Sequence, residues 1–136
     1  MRFKMMLTAL TAILLLTACG DASEPEIPVS EAVASLPEGD ATRGETIHNE
    51  GIGNAANCAS CHSLDGSDMA GPTFQGYSEI AGTRVEGLTA EEYTYQSIVS
   101  PASHIVSGYS NLMPRSYEAR LSEQDLADLM AFLLAQ

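Results

Sequence analysis

The segment "NCASCHSLDGSDMAGP", Asn57 to Pro72, sets two thiols and an imidazole within five residues, Cys58-Ala59-Ser60-Cys61-His62. Four chemistries use such a cluster: a zinc corner, a redox dithiol, a disulfide, or covalent attachment of a haem. A structural zinc site needs four ligands, commonly two pairs. His62 is too close to Cys61 to join Cys58 and Cys61 comfortably, and His48 and His104 are isolated from each other. A thioredoxin-like dithiol wants its Cys-x-x-Cys after a strand and at a helix start, whereas the preceding "EGIGNAAN" is a Gly/Asn loop. A disulfide is permitted in an exported protein but leaves His62 unexplained. Haem attachment employs all three residues. The thiols add across the two vinyl groups as thioethers, and the adjacent imidazole reaches the iron.

The chain start agrees with export. "MRFKMMLTALTAILLLTAC" carries Arg2 and Lys4, an apolar run from Met5 to Leu16, and small residues before Cys19. That is the layout of a secretory signal, too short and wrongly flanked for a comfortable membrane span. Leu16-Thr17-Ala18-Cys19 resembles the lipobox of bacterial lipoproteins, which implies cleavage after residue 18 and acylation of Cys19. Two or more acyl chains hold a protein firmly to a membrane where one binds marginally. The cysteine count then closes: of three cysteines, one takes lipid and two take haem.

The full chain has a formal net charge of −12. Removing residues 1–18 takes away Arg2 and Lys4, leaving Arg43, Arg84, Arg115 and Arg120 against all 18 acids, or −14. Such a surface repels nucleic acid and favours a basic docking partner.

Residues 19–37, including "GDASEPEIPVSEAVASLP", are acidic, rich in small residues and interrupted by Pro25, Pro28 and Pro37. They read as a lipid-anchored flexible linker, with a reach of about 65 Å at full stretch. Residues 38–136 read as one all-α domain. A helix is expected to begin at Asp40. A second, at 89–99, opens with the capping-box pattern Thr89-x-x-Glu92 and stops before Ser100-Pro101. The last begins at Ser122 and carries Leu126, Leu129, Met130 and Leu133 on one face. Three helices with few aromatics and no tryptophan make a weak core, so something else is expected to fill the middle.

In order, "GDATRGETI", "CASCH", "GPTFQGY", "EEYTYQSIVSP", "IVSGYSNLMP" and "LSEQDLADLMAFL" resemble small class I monohaem cytochromes c, in a membrane-anchored lipoprotein form. The resemblance covers roughly Gly39 to the C-terminus. It implies the cytochrome c fold, three main helices and long loops wrapped around one covalent haem c held by Cys58 and Cys61. It implies His62 as proximal ligand, Met113 of the Met-Pro loop as distal ligand, and the Pro72 carbonyl as acceptor for the His62 Nδ1–H. Gly44 and Phe132 resemble the residues at which the first and last family helices cross. His48 stands where the family usually carries an aromatic. From the residues alone, Met69 is too near His62 to cross to the opposite haem face, and Met130 belongs to an apolar helix stripe. His104 is the rival distal ligand. Tyr77, Arg84, Tyr93, Tyr109, Asn111 and Arg115 are candidates to bond the haem propionates or the methionine sulfur, without a ranking among them.

With both axial positions held by protein, the expected chemistry is one-electron transfer and not enzymatic turnover. The expected role is a carrier on the periplasmic or external side of a membrane, anchored by its lipid and shuttling between respiratory or photosynthetic complexes. A fixed cytochrome c subunit of a larger membrane oxidoreductase and a bis-His haem sensor domain are the alternatives.

Overall fold

A computed structural model describes residues 27–136, so the signal segment and Cys19 lie outside the described residues. Five helices and no strand are present among them: α1 (Val29–Ser35), α2 (Ala41–Glu50), α3 (Tyr77–Ile80), α4 (Ala90–Val99) and α5 (Glu123–Leu133). Short 3₁₀ turns occupy Cys58–Ser60 and Ala81–Thr83.

The three main helices start where local chemistry dictates. At α2 the Asp40 carboxylate accepts from the amides of Thr42 (2.8 Å) and Arg43 (3.3 Å). At α4 the Thr89 amide donates to Glu92 Oε2 at 2.8 Å and the Glu92 amide donates back to Thr89 Oγ1 at 3.2 Å. At α5 Ser122 and Asp125 form the same reciprocal box. Each cap satisfies amides that a helix start otherwise leaves without partners.

α2 crosses α5 at Gly44. A Cβ there would stand 2.7 Å from Phe132 Cβ and closer still to the Asp128 backbone, so the approach requires glycine. An ionic lock fixes the crossing. Arg43, in the first turn of α2, pairs with Asp125 and lies 3.3 Å from Asp128 Oδ2, while Asp128 Oδ1 accepts from the Asp40 amide (2.7 Å) and Gln124 Nε2 (2.8 Å). Asp128 is 0% exposed. Removing Arg43 would strand its charge, which is costlier than the pair itself is worth. Burial alone would raise the Asp125 pKa. The hydrogen bonds from the Ser122 hydroxyl and amide and the Arg43 charge outweigh it and hold the carboxyl below its ordinary value.

Two elements depart from the expectation of three helices. The stretch expected to be linker, 19–37, contains α1, which packs on α4. Ala32 and Leu36, one helical turn apart, line a cavity with Tyr95 and Val99, also one turn apart. Val29, Ala32, Val33 and Leu36 are the half-buried residues of α1 and its C-cap and fall at i, i+3, i+4 and i+7, a helical stripe one turn longer than the prolines and small residues around it suggest. A helix this short takes its stability from docking. The other is α3, which with the turn after it carries Tyr77 and Ala81 into the core.

Gly44→Ala is expected to cost on the order of 1–3 kcal/mol by overpacking, measured as a fall in the denaturation midpoint. Gly82→Ala, whose Cβ would meet nothing nearer than 3.4 Å, is the matched control. The depressed Asp125 pKa contributes stability that is present above the ordinary aspartate pKa of about 4 and is lost as pH falls through the lower folded value. Asp125→Asn should lower stability at pH 7 and flatten its acid limb below about pH 4, read by denaturation at a series of pH values.

Candidate functional site

The Cys-x-x-Cys-His segment is folded by its own backbone. Asn57 Oδ1 accepts the Ser60 amide at 3.0 Å, and the Cys58 carbonyl accepts the amides of Cys61 (3.0 Å) and His62 (2.9 Å). This turn brings Cys58, Cys61 and His62 to the wall of one cavity of about 230 Å³. Cys58 and Cys61 are not bonded to each other. No group of three or more His, Cys, Asp or Glu side chains placed to hold a metal ion by themselves occurs among the described residues. Burial pushes the Cys58 thiol up to about 11, with Cys61 adding to the shift.

The loop from Ser63 to Phe74 returns to the histidine. Its ends are pinned by the Gly71 amide on the Cys61 carbonyl and the Phe74 amide on the Ser63 carbonyl, both 2.8 Å, and Thr73 Oγ1 also donates to Ser63 O at 3.1 Å. The loop thereby delivers the Pro72 carbonyl to within 2.7 Å of His62 Nδ1. A carbonyl only accepts, so Nδ1 carries the proton and Nε2 keeps its lone pair. Burial lowers the His62 pKa, against the Pro72 bond that raises it, favouring the neutral imidazole a metal requires. Gly71 leaves room for the ring, since a Cβ there would stand 2.5 Å from His62 Cε1 and 2.8 Å from each ring nitrogen.

Met113 lines the same cavity and is half-buried. The other described methionines do not: Met69 is 39% exposed, and Met130 is buried at 5% on α5. His104 also lines the cavity, edge-on to Tyr93 with ring centroids 5.9 Å apart. His48 is elsewhere. It is 1% exposed, packed against Phe132 at 5.3 Å and Phe74 at 5.8 Å, with Nδ1 on Asn49 Oδ1 at 2.9 Å and Nε2 without a partner among the described residues. It fills the aromatic position beside the α2–α5 crossing as a ring, at the cost of one buried unsatisfied nitrogen.

Proton bookkeeping ranks the polar candidates. Thr94 spends its one hydroxyl proton on the Ala90 carbonyl at 2.6 Å, so Tyr77, 3.0 Å from Thr94 Oγ1, must donate there and has no proton left for the cavity. Burial pushes the Tyr77 phenol up to about 12. Arg115 is exposed and outside the cavity wall. Arg84 is in the wall, has no ion pair among the described residues, and is the wall's one fixed cation. No aspartate or glutamate shares that wall. Tyr93, Tyr109 and Asn111 line it too. Phe74 is the residue that the sequence quoted within "GPTFQGY" without assigning a role. Its ring stacks on His62 at 4.7 Å and 20°, and nothing in motif spacing signals that contact.

The wall therefore combines two thiols, a neutral imidazole with a free lone pair, a thioether and a lone guanidinium around an apolar interior. These suit a haem: thioether links, axial nitrogen and sulfur ligands, and a counter-charge for carboxylates. The family model described as Cytochrome c matches residues 41–136, from the first residue of α2 onward. No curated protein sequence matches the chain significantly.

Proposed function

Because the chain belongs to the cytochrome c family, we propose that it is a membrane-tethered one-electron carrier whose haem iron is held between His62 and Met113. The family binds haem c covalently through cysteines, and Cys58 and Cys61 are those cysteines in this chain. Bound haem c supplies one-electron cycling between ferric and ferrous iron.

The chain's residues divide the remaining work. The Pro72 carbonyl accepts the hydrogen bond from His62 Nδ1–H and so leaves Nε2 as the base that would meet the iron. Met113 offers a soft, neutral thioether that favours the ferrous state. Arg84 supplies the counter-charge for the cofactor's carboxylates in a wall without acids of its own. Were His62 and Met113 both to hold the iron, it would be closed to oxygen and peroxide, which favours transfer over turnover. The single observation that carries the ligand assignment is that Met113 alone among the described methionines shares a cavity with Cys58, Cys61 and His62. His104 shares it too, and supports a second reading with two histidine ligands and a lower potential.

The tether rests on the sequence. The basic start, apolar run and Leu16-Thr17-Ala18-Cys19 make Cys19 the lipidated N-terminus of an exported protein facing the periplasm or cell exterior. The strongly acidic domain suits a redox protein or membrane complex with a basic docking face.

In natively matured protein the ferric form should show the weak far-red sulfur-to-iron charge-transfer band. His104→Phe should keep the band, and Met113→Ala should lose it with a fall in reduction potential. A band surviving in Met113→Ala, or missing from wild type and restored by His104→Phe, would reject Met113 as resting ligand. Arg84→Met should lower the potential by on the order of tens of millivolts, because a nearby cation favours the less positive ferrous iron. Arg115→Met, altering an exposed arginine, should leave it unchanged in the same titration.

A further inference from the structure

We infer that Phe74 is a positioning residue that fixes the rotation of the His62 ring, and with it the orientation of the proximal ligand relative to the haem. The inference rests on the reading of His62 as that ligand. The need for such a residue follows from geometry. The torsion that spins an imidazole about its Cβ–Cγ bond is broad and weakly restricted. The hydrogen bond from Nδ1 to the Pro72 carbonyl, 2.7 Å long, sets one direction but tolerates a wide range of approach at the carbonyl oxygen. Faces have to be held by faces.

Two contacts do this. A Cβ on Gly71 would stand 2.5 Å from Cε1 and 2.8 Å from both nitrogens. An in-plane approach to the Cε1 edge would leave the nitrogens much farther away than Cε1, so Gly71 lies over the ring plane. Phe74 stacks against the imidazole, nearly parallel, with centroids 4.7 Å apart.

Phe74 is itself immobilised. Its amide is bonded to the Ser63 carbonyl at 2.8 Å. Its ring meets Tyr77 edge-on at 5.2 Å and 85° and His48 at 5.8 Å and 67°. His48 in turn packs on Phe132 at 5.3 Å, beside the Gly44 crossing. A train of rings, Phe132–His48–Phe74–His62, therefore runs from the α2–α5 scaffold to the imidazole. His48 enters the train by its ring faces, with Nδ1 bonded to Asn49 Oδ1 at 2.9 Å and Nε2 without a partner among the described residues.

The test is proton NMR of the natively matured holoprotein. In the ferric form the order and spread of the haem-methyl shifts follow the orientation of the axial ligands. Phe74→Leu should reorder these shifts while the far-red sulfur band persists, and Phe74→Tyr, which restores a flat ring, should return the wild-type pattern. His48→Phe should keep the pattern without loss of stability. An unchanged pattern in Phe74→Leu, accompanied only by a lower melting temperature, would overturn the inference and leave Phe74 a packing residue. Wild type gives a test that needs no variant to fold: in the ferrous, diamagnetic form the Phe74 and His62 rings should show nuclear Overhauser contacts. Their absence would also overturn it. Failure of the underlying reading looks different, because His62→Ala would then keep a low-spin spectrum whatever Phe74 does.

Discussion

The bond from His62 Nδ1 to the Pro72 carbonyl is the contact on which the site depends. It spans ten residues of chain, and the contacts at the two ends of that loop bring its partners together. Gly71 must lack a side chain for the ring to lie against it, Thr73 ties the loop to Ser63, and the backbone bonds at Cys61 and Ser63 close the loop's neck. The product is one tautomer of one imidazole, with its lone pair available to a metal.

Around that contact the fold is a rigid frame with an apolar interior. The frame is the α2–α5 crossing, where a glycine permits backbone contact and Arg43 neutralises two acids of α5. Its rings extend toward the site, so the scaffold and the His62 ring are parts of one packed unit. Residues of the loop between α4 and α5, from Ile105 to Pro114, line the same cavity as Tyr93, Thr94 and Ile98 of α4 and Leu129 and Leu133 of α5. Helix and loop thus share the lining.

Much of this was legible in the residues because it is encoded locally. Asp40, Thr89 and Ser122 announce their helices by side chains that can only serve as caps, and the Cys58–His62 spacing states its chemistry within five residues. Gly44 and Phe132 were legible through family resemblance, and they do meet. What escaped depends on contacts between distant segments. α1 docks on α4; its apolar stripe, Val29, Ala32, Val33 and Leu36, spans only two turns and lies among the acids, small residues and prolines that made the stretch read as linker. Phe74 looks like any loop aromatic until its neighbours are known. The six polar candidates could not be ordered from sequence, because their rank turns on which of them reach the cavity, as Arg115 does not, and on which protons are already committed, as at Tyr77 and Thr94.

The docking of α1 on α4 changes the arithmetic of encounter. Were Cys19 the anchor, as proposed, the chain between lipid and folded protein would end at Pro28 and not at Pro37, and its full-stretch contour would fall from about 65 Å to about 33 Å. Halving the reach would shrink the volume open to the domain by about eightfold and raise its effective concentration at partners within that radius by a similar factor. A seven-residue helix would then exchange access to distant partners for frequency of contact with near ones.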